Sequence, residues 1–470
     1  MLLLERVFQI INESGLDYCV QNKYEMMPEE IPSDIDMMYR NADEKFFDGL
    51  MAKIANATEM IISQKIVHDY LQYTYIFTPA SPKEEFRLQL DFYRALSFHK
   101  YRNVMPGEQM LNTKVRYKCF FIPAPEIEVV YQIMRRVIKE DMTTEHLNII
   151  RKHFVNSNEE VIKTIRKIFS PDIAEQLLEM IESNSTEAFY INLNKLKNNL
   201  LQISKMNTGP RFYYNSIKFT ITKVIPQRII HPVGLSVAFV SPDGGGKSTV
   251  IKGVQDTCAG SFFGVSQYYF RPRLLKNIGS YNVANPHGEE NSNPEPHNVR
   301  LDGKIKSIVR FFYYQVDFIL GWIIKVYKDL IQKKLVLFDR YYYDYYADMQ
   351  RYRYSLSSDF AVQLSWMIPK PDLVIVLDGD PKVFFMRKQE LTVDEIRNQL
   401  AAFRRISEDC RNVEYIKADR EEKEVLNSVT KAILCKKAEM TLKRMKLNSN
   451  EMSILKSNIQ KAREESHAKT

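Results

Sequence analysis

Cysteine is scarce and unpatterned in this chain. There are five (Cys19, Cys119, Cys258, Cys410 and Cys435), none in a C-x-x-C pair, and the number is odd. That argues against a disulfide framework or a cysteine zinc site and for a reducing compartment, the cytoplasm. A secretory leader is not expected, because the opening Met-Leu-Leu-Leu-Glu-Arg is short and soon charged. Long uninterrupted hydrophobic runs are missing as well. The most apolar stretch, 311–327, contains Gln315, Asp317 and Lys325; it falls short of a transmembrane span and reads as a buried helix. Internal repeats are not evident. Charge of one sign is lacking over most of the length. The formal charge is +8, but residues 436–470 hold nine Lys/Arg against four Asp/Glu, so the tail alone supplies +5. The near-balanced body argues against nucleic acid as a partner. The tail can contact an acidic surface or remain a solvated charged helix.

What is present is ordinary globular composition, 45% hydrophobic and 26% charged over 470 residues, a length that suggests about three domains rather than one core. Residues 1–125 alternate short helical and strand-like segments. Residues 126–206 read as helical, with apolar side chains at three- and four-residue spacing in 127–138, 161–168 and 173–181. Segment 207–232 holds Gly209, Pro210, Pro226 and Pro232 and reads as a linker. From 233 to 435, strand-like runs at 235–240, 265–270, 335–338, 373–378 and 413–417 alternate with helical ones. This predicts an α/β domain with a parallel five-stranded sheet, helices on both faces and ligands at the carboxyl ends of the strands. Residues 436–470 are polar and lysine-rich. Met445, Met452, Leu455 and Ile459 form one stripe, so a basic helical or partly disordered tail is expected.

The chemistry concentrates at residues 240–249, Val-Ser-Pro-Asp-Gly-Gly-Gly-Lys-Ser-Thr. An apolar strand-like run precedes them and a helix-like run follows, which is the setting of a phosphate-binding P-loop. Gly244, Gly245 and Gly246 let backbone N–H groups face inward, and the helix start behind them adds partial positive charge. Lys247 can reach the β- and γ-phosphates, the Ser248 hydroxyl can ligate Mg²⁺, and Thr249 completes the motif. The first glycine of the usual pattern is Ser241 here. The competing reading is a glycine-rich turn that binds nothing.

Other motifs fall at predicted strand ends. Run 335–341 delivers Asp339 and Arg340, a carboxylate for Mg²⁺ and a guanidinium for phosphate oxygens, or a structural ion pair. Run 371–381 is followed by Arg387, placed where a lid brings it onto phosphates; a solvated cation is the alternative. Run 412–420 ends on Asp419 and Arg420. Run 268–276 holds Arg271, Arg273 and Lys276, three cations in six residues, which suggests an anionic acceptor.

Residues 233–435 resemble the thymidylate kinase family of P-loop kinases. Asp243-Gly244-Gly245-Gly246-Lys247-Ser248-Thr249 matches that family's D-G-x-G-K-[S/T]-T loop, Asp339-Arg340-Tyr341 its D-R-[Y/H] motif, and 371–387 its P-D-L…L-D-x-D-P…R pattern. The resemblance implies ATP and Mg²⁺, with Asp243 near the acceptor, Asp339 and Arg340 at magnesium and phosphate, Arg387 in the lid and Asp419 on the nucleotide side. Phe270-Arg271-Pro272-Arg273 stands where the family has R-E-P-G-G-T, the 276–300 loop is long, and Asp344, Asp348 and 351–354 resemble a divergent thymidylate kinase-like group. An acceptor other than dTMP is implied, a small anionic nucleotide, sugar or other phosphorylated metabolite, held by Arg271, Arg273 and Tyr341.

In residues 1–125, Ser33-Asp34-Ile35-Asp36 places two carboxylates two residues apart, on one side of a strand, and Asp91 lies on the polar side of an alternating run, 86–92. Such carboxylates can hold Mg²⁺ between them. D-x-D with a distant Asp resembles the polymerase-β-type nucleotidyltransferase fold, an α+β domain with 126–206 as its helical annex. Gln21-Asn22 stands where that family has a Gly-Ser or Gly-Gly pair. The expectation is an ATP-dependent phosphotransferase with Lys247, Arg340, Asp243 and Arg387 as catalytic residues, joined to a nucleotidyltransferase-like domain. The alternative is a nucleotide-gated regulatory or assembly ATPase with a degenerate N-terminal domain. A homodimer is left open.

Overall fold

The structure is a computed structural model, which describes residues 2–79, 87–276, 303–352 and 354–467. Most of the long 276–300 loop and Arg353 lie outside the described residues. Two compact units emerge: residues through Phe77, Leu88–Pro226 and Arg444–Leu455 form one, and the other is built chiefly from Gln227–Lys443, with residues from Lys456 onward.

In the first unit a mixed five-stranded sheet has the order β1-β2-β5-β4-β3. Its strands are β1 (Asp17–Gln21), β2 (Ile35–Arg40), β3 (Met60–Val67), β4 (Tyr73–Pro79) and β5 (Leu88–Tyr93). β2 and β5 run parallel, and Asp36 sits directly beside Asp91. β1 runs antiparallel to β2, with Gln21 opposite Asp36. Two short hairpins follow, β6 (Ala95–Phe98) with β7 (Tyr101–Pro106) and β8 (Val115–Tyr117) with β9 (Phe120–Ile122). Five helices follow, Pro125–Lys139, Thr144–Asn156, Asn158–Ile168, Pro171–Ser183 and Thr186–Asn207. Their apolar stripes, including Val130, Met134, Leu147, Ile165, Leu177 and Leu200, form one core cluster. Lys65 is buried in this unit and pairs with Glu44 at 2.9 Å and Asp48 at 2.7 Å. Asp48 also accepts from the Tyr75 hydroxyl at 2.8 Å and the Lys446 backbone N–H at 2.7 Å, so the last segment of the chain completes this buried charge cluster.

The second unit holds an all-parallel sheet of β10 (Leu235–Val240), β11 (Val265–Tyr269), β12 (Leu335–Asp339), β13 (Leu373–Asp378) and β14 (Val413–Lys417), in the order β11-β12-β10-β13-β14. β10, β12 and β13 are near-continuous apolar runs because helices cover both faces of the sheet. The chain winds from β10 to one side through β11 and β12, then crosses to the other side for β13 and β14. The reversal of winding flanks β10.

The 207–232 linker is helical over most of its length, as Pro210–Phe219 followed by wider-wound turns at Thr220–Val224 and Pro226–Ile230. The boundary expected at 435/436 cuts a continuous helix, Glu422–Leu442. A final helix, Ser449–His467, buries Leu455 and Ile459 together with Ala462, so the tail's stripe packs on its own chain. Among the described residues one helix, Lys304–Ile331, is long and apolar enough by length and composition to cross a membrane. It packs Phe311, Phe318, Val326 and Leu330 into the core and buries Arg310, Gln315 and Asp317 beside them.

Candidate functional site

The 241–246 loop leaves the carboxyl end of central strand β10, and the helix Lys247–Cys258 starts directly after it. Gly244 and Gly246 both have φ of +82°, a conformation that only glycine adopts without strain. A Cβ on Gly244 would lie 2.3 Å from the Phe384 carbonyl oxygen, and one on Gly245 would lie 1.8 Å from Ser241 Oγ. Ser241 therefore has a steric role. Its buried hydroxyl fills the space over Gly245 and donates to the Pro242 carbonyl at 3.0 Å. The Lys247 ammonium donates to the Ser241 carbonyl at 2.6 Å and the Pro242 carbonyl at 3.1 Å. Burial pushes its pKa down to about 8, and the nearby Arg340 charge adds to that, with Asp243 and Asp339 opposing. Ser248 and Thr249 lie exposed in the first helical turn, where backbone N–H groups have no intrahelical partner.

Beside the loop stands a chain of four charges, three of them buried and Arg351 partly exposed. Asp243 Oδ1 accepts from Arg340 Nη2 at 2.6 Å, and its Oδ2 accepts from Arg351 Nη1 at 2.5 Å. Arg340 Nη1 donates to Asp344 Oδ2 at 2.7 Å, which also accepts from the Tyr352 hydroxyl at 3.1 Å. Asp344 Oδ1 is buried without a hydrogen-bond partner. Burial opposes ionisation of Asp243, but Arg340 and Arg351 outweigh it and hold its carboxyl far below the usual range. The order Arg351–Asp243–Arg340–Asp344 alternates in sign, which lets four charges share a low-dielectric site. Arg340 itself has φ of +70°, a strained value for a non-glycine residue, which turns its side chain off the end of β12.

The remaining expected residues divide. Asp339 ends β12, partly exposed, with its charge acting on Lys247. Arg387 closes the helix Pro381–Arg387 and donates to the Ala418 carbonyl at 2.7 Å. Asp419 accepts from the Asp380 backbone N–H at 3.0 Å, so the loops after β13 and β14 are tied together. Arg271, read as an acceptor contact, is a core residue instead. It is paired to buried Asp317, donates to the Leu275 carbonyl at 3.2 Å and lies 4.2 Å from the Tyr314 ring centre. Tyr341 is likewise core, packed on Phe318, Trp322 and Phe338 with its hydroxyl donating to the Pro369 carbonyl. Arg273 stays at the surface, 5.4 Å from the Tyr269 ring centre. Asp344 and Arg351 are the site residues to which sequence reasoning gave no role. The available signals were the four-residue spacing of Asp344 from Arg340 and the cationic 351–354 run.

In the first unit, Asp34, Asp36 and Asp91 each bring one carboxylate oxygen within 4.8 Å of the others. Asp36 accepts from Arg135 Nη1 at 3.1 Å. Asp91 accepts from the Thr74 hydroxyl and from Gln89 Nε2, the latter at 2.8 Å. Asp34 accepts from the Ser33 hydroxyl at 2.5 Å and lies 3.7 Å from the Lys23 ammonium. Burial pushes the Asp91 carboxyl up to about 6, and the charges of Asp36 and Asp34 add to it. Gln21, opposite Asp36, has a buried Nε2 without a partner. Asn22 and Lys23 turn the chain with φ of 56° and 49°. Asn22 donates to the Tyr131 hydroxyl at 3.1 Å and accepts from Gln132 Nε2 at 2.7 Å, and Arg135 donates to the same hydroxyl at 2.7 Å. The helix Pro125–Lys139 thus presents Arg135 to Asp36, and Tyr131 and Gln132 to Asn22. Such an oxygen donor set suits a hard divalent cation.

No protein-family model matches the chain, and no curated protein matches it.

Proposed function

We propose that the second unit is an Mg²⁺–ATP-dependent phosphotransferase of the thymidylate kinase-like kind, acting on a small anionic acceptor. One observation carries the reading. A glycine loop with a buried lysine leaves the central strand at the reversal of winding, and it faces the chain Arg351–Asp243–Arg340–Asp344. Phosphoryl transfer needs little covalent help from protein, only position and neutralised charge, and this arrangement supplies both. The loop amides and Lys247 hold the β- and γ-phosphates. Ser248 and Asp339 are hard oxygen donors beside that position and fit Mg²⁺, which when bound spreads the charge on the phosphates. Arg340 and Arg351 neutralise the transferring group. Arg387, at the end of its helix, closes over the nucleotide.

Asp243 orients the acceptor rather than taking its proton, because a carboxyl held so low is a poor base near neutral pH. An ionised phosphate oxygen of the acceptor, which carries no proton to remove, attacks the γ-phosphorus, and ADP leaves with the electrons of the broken bond. With Arg271 and Tyr341 committed to the core, the cations left to meet an anionic acceptor include Arg340, Arg351, Arg273 and Lys276. The test is transfer of labelled γ-phosphate to a pool of phosphorylated metabolites. Lys247→Ala should abolish it, and unchanged turnover in that variant would sink the reading. Inorganic phosphate as the sole product, whatever acceptor is offered, would favour the nucleotide-gated module.

A second reading concerns the first unit. We propose that it transfers a nucleotidyl group, because Asp36 and Asp91 stand side by side on adjacent strands with Asp34 next to them. The three carboxylates would hold Mg²⁺ there, and the unpartnered Gln21 amide opposite Asp36 would meet the triphosphate. Label from α-³²P-ATP that reaches no acceptor with Mg²⁺ or Mn²⁺ would refute it.

A further inference from the structure

The helix Lys304–Ile331 has two unlike faces. One packs Phe311, Phe318, Val326 and Leu330 into the core, and the helix's two acids are buried with them. Asp317 is paired to Arg271, and Asp329 to Lys334 at 2.8 Å. The other face leaves Ile305, Val309, Phe312, Val316, Leu320 and Ile323 in solvent, with Ile305 81%, Val309 63% and Ile323 62% exposed. Steps of three and four residues put all six on one stripe. At 1.5 Å per residue that stripe is roughly 27 Å long. One turn beyond Ile323, the Tyr327 hydroxyl donates to the Ile229 carbonyl, which brings exposed Ile229 and Ile230 to this end of the helix. The charges exposed along the helix are Lys304, Lys306 and Lys328, all of them positive.

We propose that this face docks in the plane of a membrane surface that carries anionic lipid. A contiguous apolar stripe rimmed by polar groups marks an interaction surface. An apolar face with lysines at its ends suits a lipid interface, where the apolar side chains enter the acyl boundary and the lysines meet headgroup phosphates. The helix does not cross the bilayer. Its inner face holds buried Arg310, whose Nη2 donates to the Tyr352 carbonyl at 2.6 Å, and buried Asp317, so only the outer face is free to meet lipid. A second copy of the chain fits less well. Two such helices packed face to face would set lysine ends on lysine ends in either orientation, with no exposed acid on the helix to pair them. Anionic headgroups supply the complementary charge. None of the stripe residues belongs to the glycine loop or to the carboxylate cluster, so the proposal rests on neither catalytic reading.

The test is co-sedimentation of the full chain with vesicles of phosphatidylcholine alone and with vesicles that are about one-third phosphatidylglycerol. Binding to the anionic vesicles should be at least tenfold tighter than to the neutral ones and should fall as salt is raised. Ile305→Gln, Val309→Gln and Ile323→Gln together, all at exposed positions and checked by an unchanged melting temperature, should weaken that binding at least tenfold. Lys304→Glu with Lys328→Glu should abolish the preference for anionic vesicles and leave the weaker binding to neutral ones. Both variants keep the lysine-rich tail intact, so tail binding cannot imitate these losses. Wild-type binding retained by the glutamine variant overturns the proposal, as does equal binding to the two vesicle types. A chain that binds neither vesicle overturns it as well, and a dimer split by the glutamine substitutions would then identify a second copy as the occupant.

Discussion

Lys247 gives the sharpest quantitative expectation. In the free protein its ammonium titrates at about 8 instead of 10.5, because it is buried and lies near Arg340. A phosphate bound at the glycine loop, as proposed, would stabilise the protonated form, so above pH 8 its binding would take up a proton. Between pH 7 and pH 9 the protonated fraction falls from roughly nine-tenths to roughly one-tenth, and nucleotide affinity should drop about tenfold, ~1.4 kcal/mol. The fold moves the other way. The folded pKa lies below the unfolded one, so between pH 8 and 10.5 the unfolded chain binds more protons and stability rises with pH. The penalty relieved is on the order of 3 kcal/mol, all of it present below pH 8. Titration of a fluorescent ATP analogue from pH 7 to 9.5 measures the first trend, with Lys247→Met as the reference that removes the nucleotide's own titration. Urea unfolding over the same range measures the second. A wild-type affinity as flat as that of Lys247→Met would refute the assignment of Lys247 to phosphate.

Gly245→Ala forces the new methyl onto Ser241 Oγ and should lower nucleotide affinity at least tenfold, while Ser241→Gly in the same chain restores most of it; a double-mutant cycle on binding reads the coupling. Arg351→Ala removes one of two guanidiniums from Asp243 and should cut phosphoryl transfer by about 10²-fold or more with the fold intact by circular dichroism. Asp36→Asn should abolish Mn²⁺ binding to the first unit, seen by electron paramagnetic resonance of the full chain with ATP absent. Lys65→Met leaves Asp48 buried without its cation and should cost about 3–5 kcal/mol in urea unfolding, and adding Asp48→Leu should recover part of it.

Strand positions were legible because a parallel sheet covered on both faces demands unbroken apolar runs, and 235–240 and 373–378 are the observed β10 and β13 to the residue. The D-x-D carboxylates were legible for a similar reason, since strand period puts Asp34 and Asp36 on one side, although their meeting with Asp91 required the parallel register of β2 and β5. The tail was less legible. A helix rich in lysine looks solvated, yet Leu455, Ile459 and Ala462 find cover and Lys446 joins the cluster around Asp48 and Glu44. Arg271 and Tyr341 misled because a cation or phenol beside a motif looks available, whereas Asp317 and the Pro369 carbonyl had already claimed them.

By itself the sequence determined the strands of the parallel sheet, their order along the chain and the glycine loop, since these follow from local periodicity and from φ values only glycine tolerates. Which charges meet was decided only in three dimensions. Asp243 finds Arg340 and Arg351 across 97 and 108 residues of chain. No local spacing encodes such pairs. They exist because β10 and β12 lie side by side and parallel, so their exits meet at one end of the sheet, where burial makes each carboxylate require a cation.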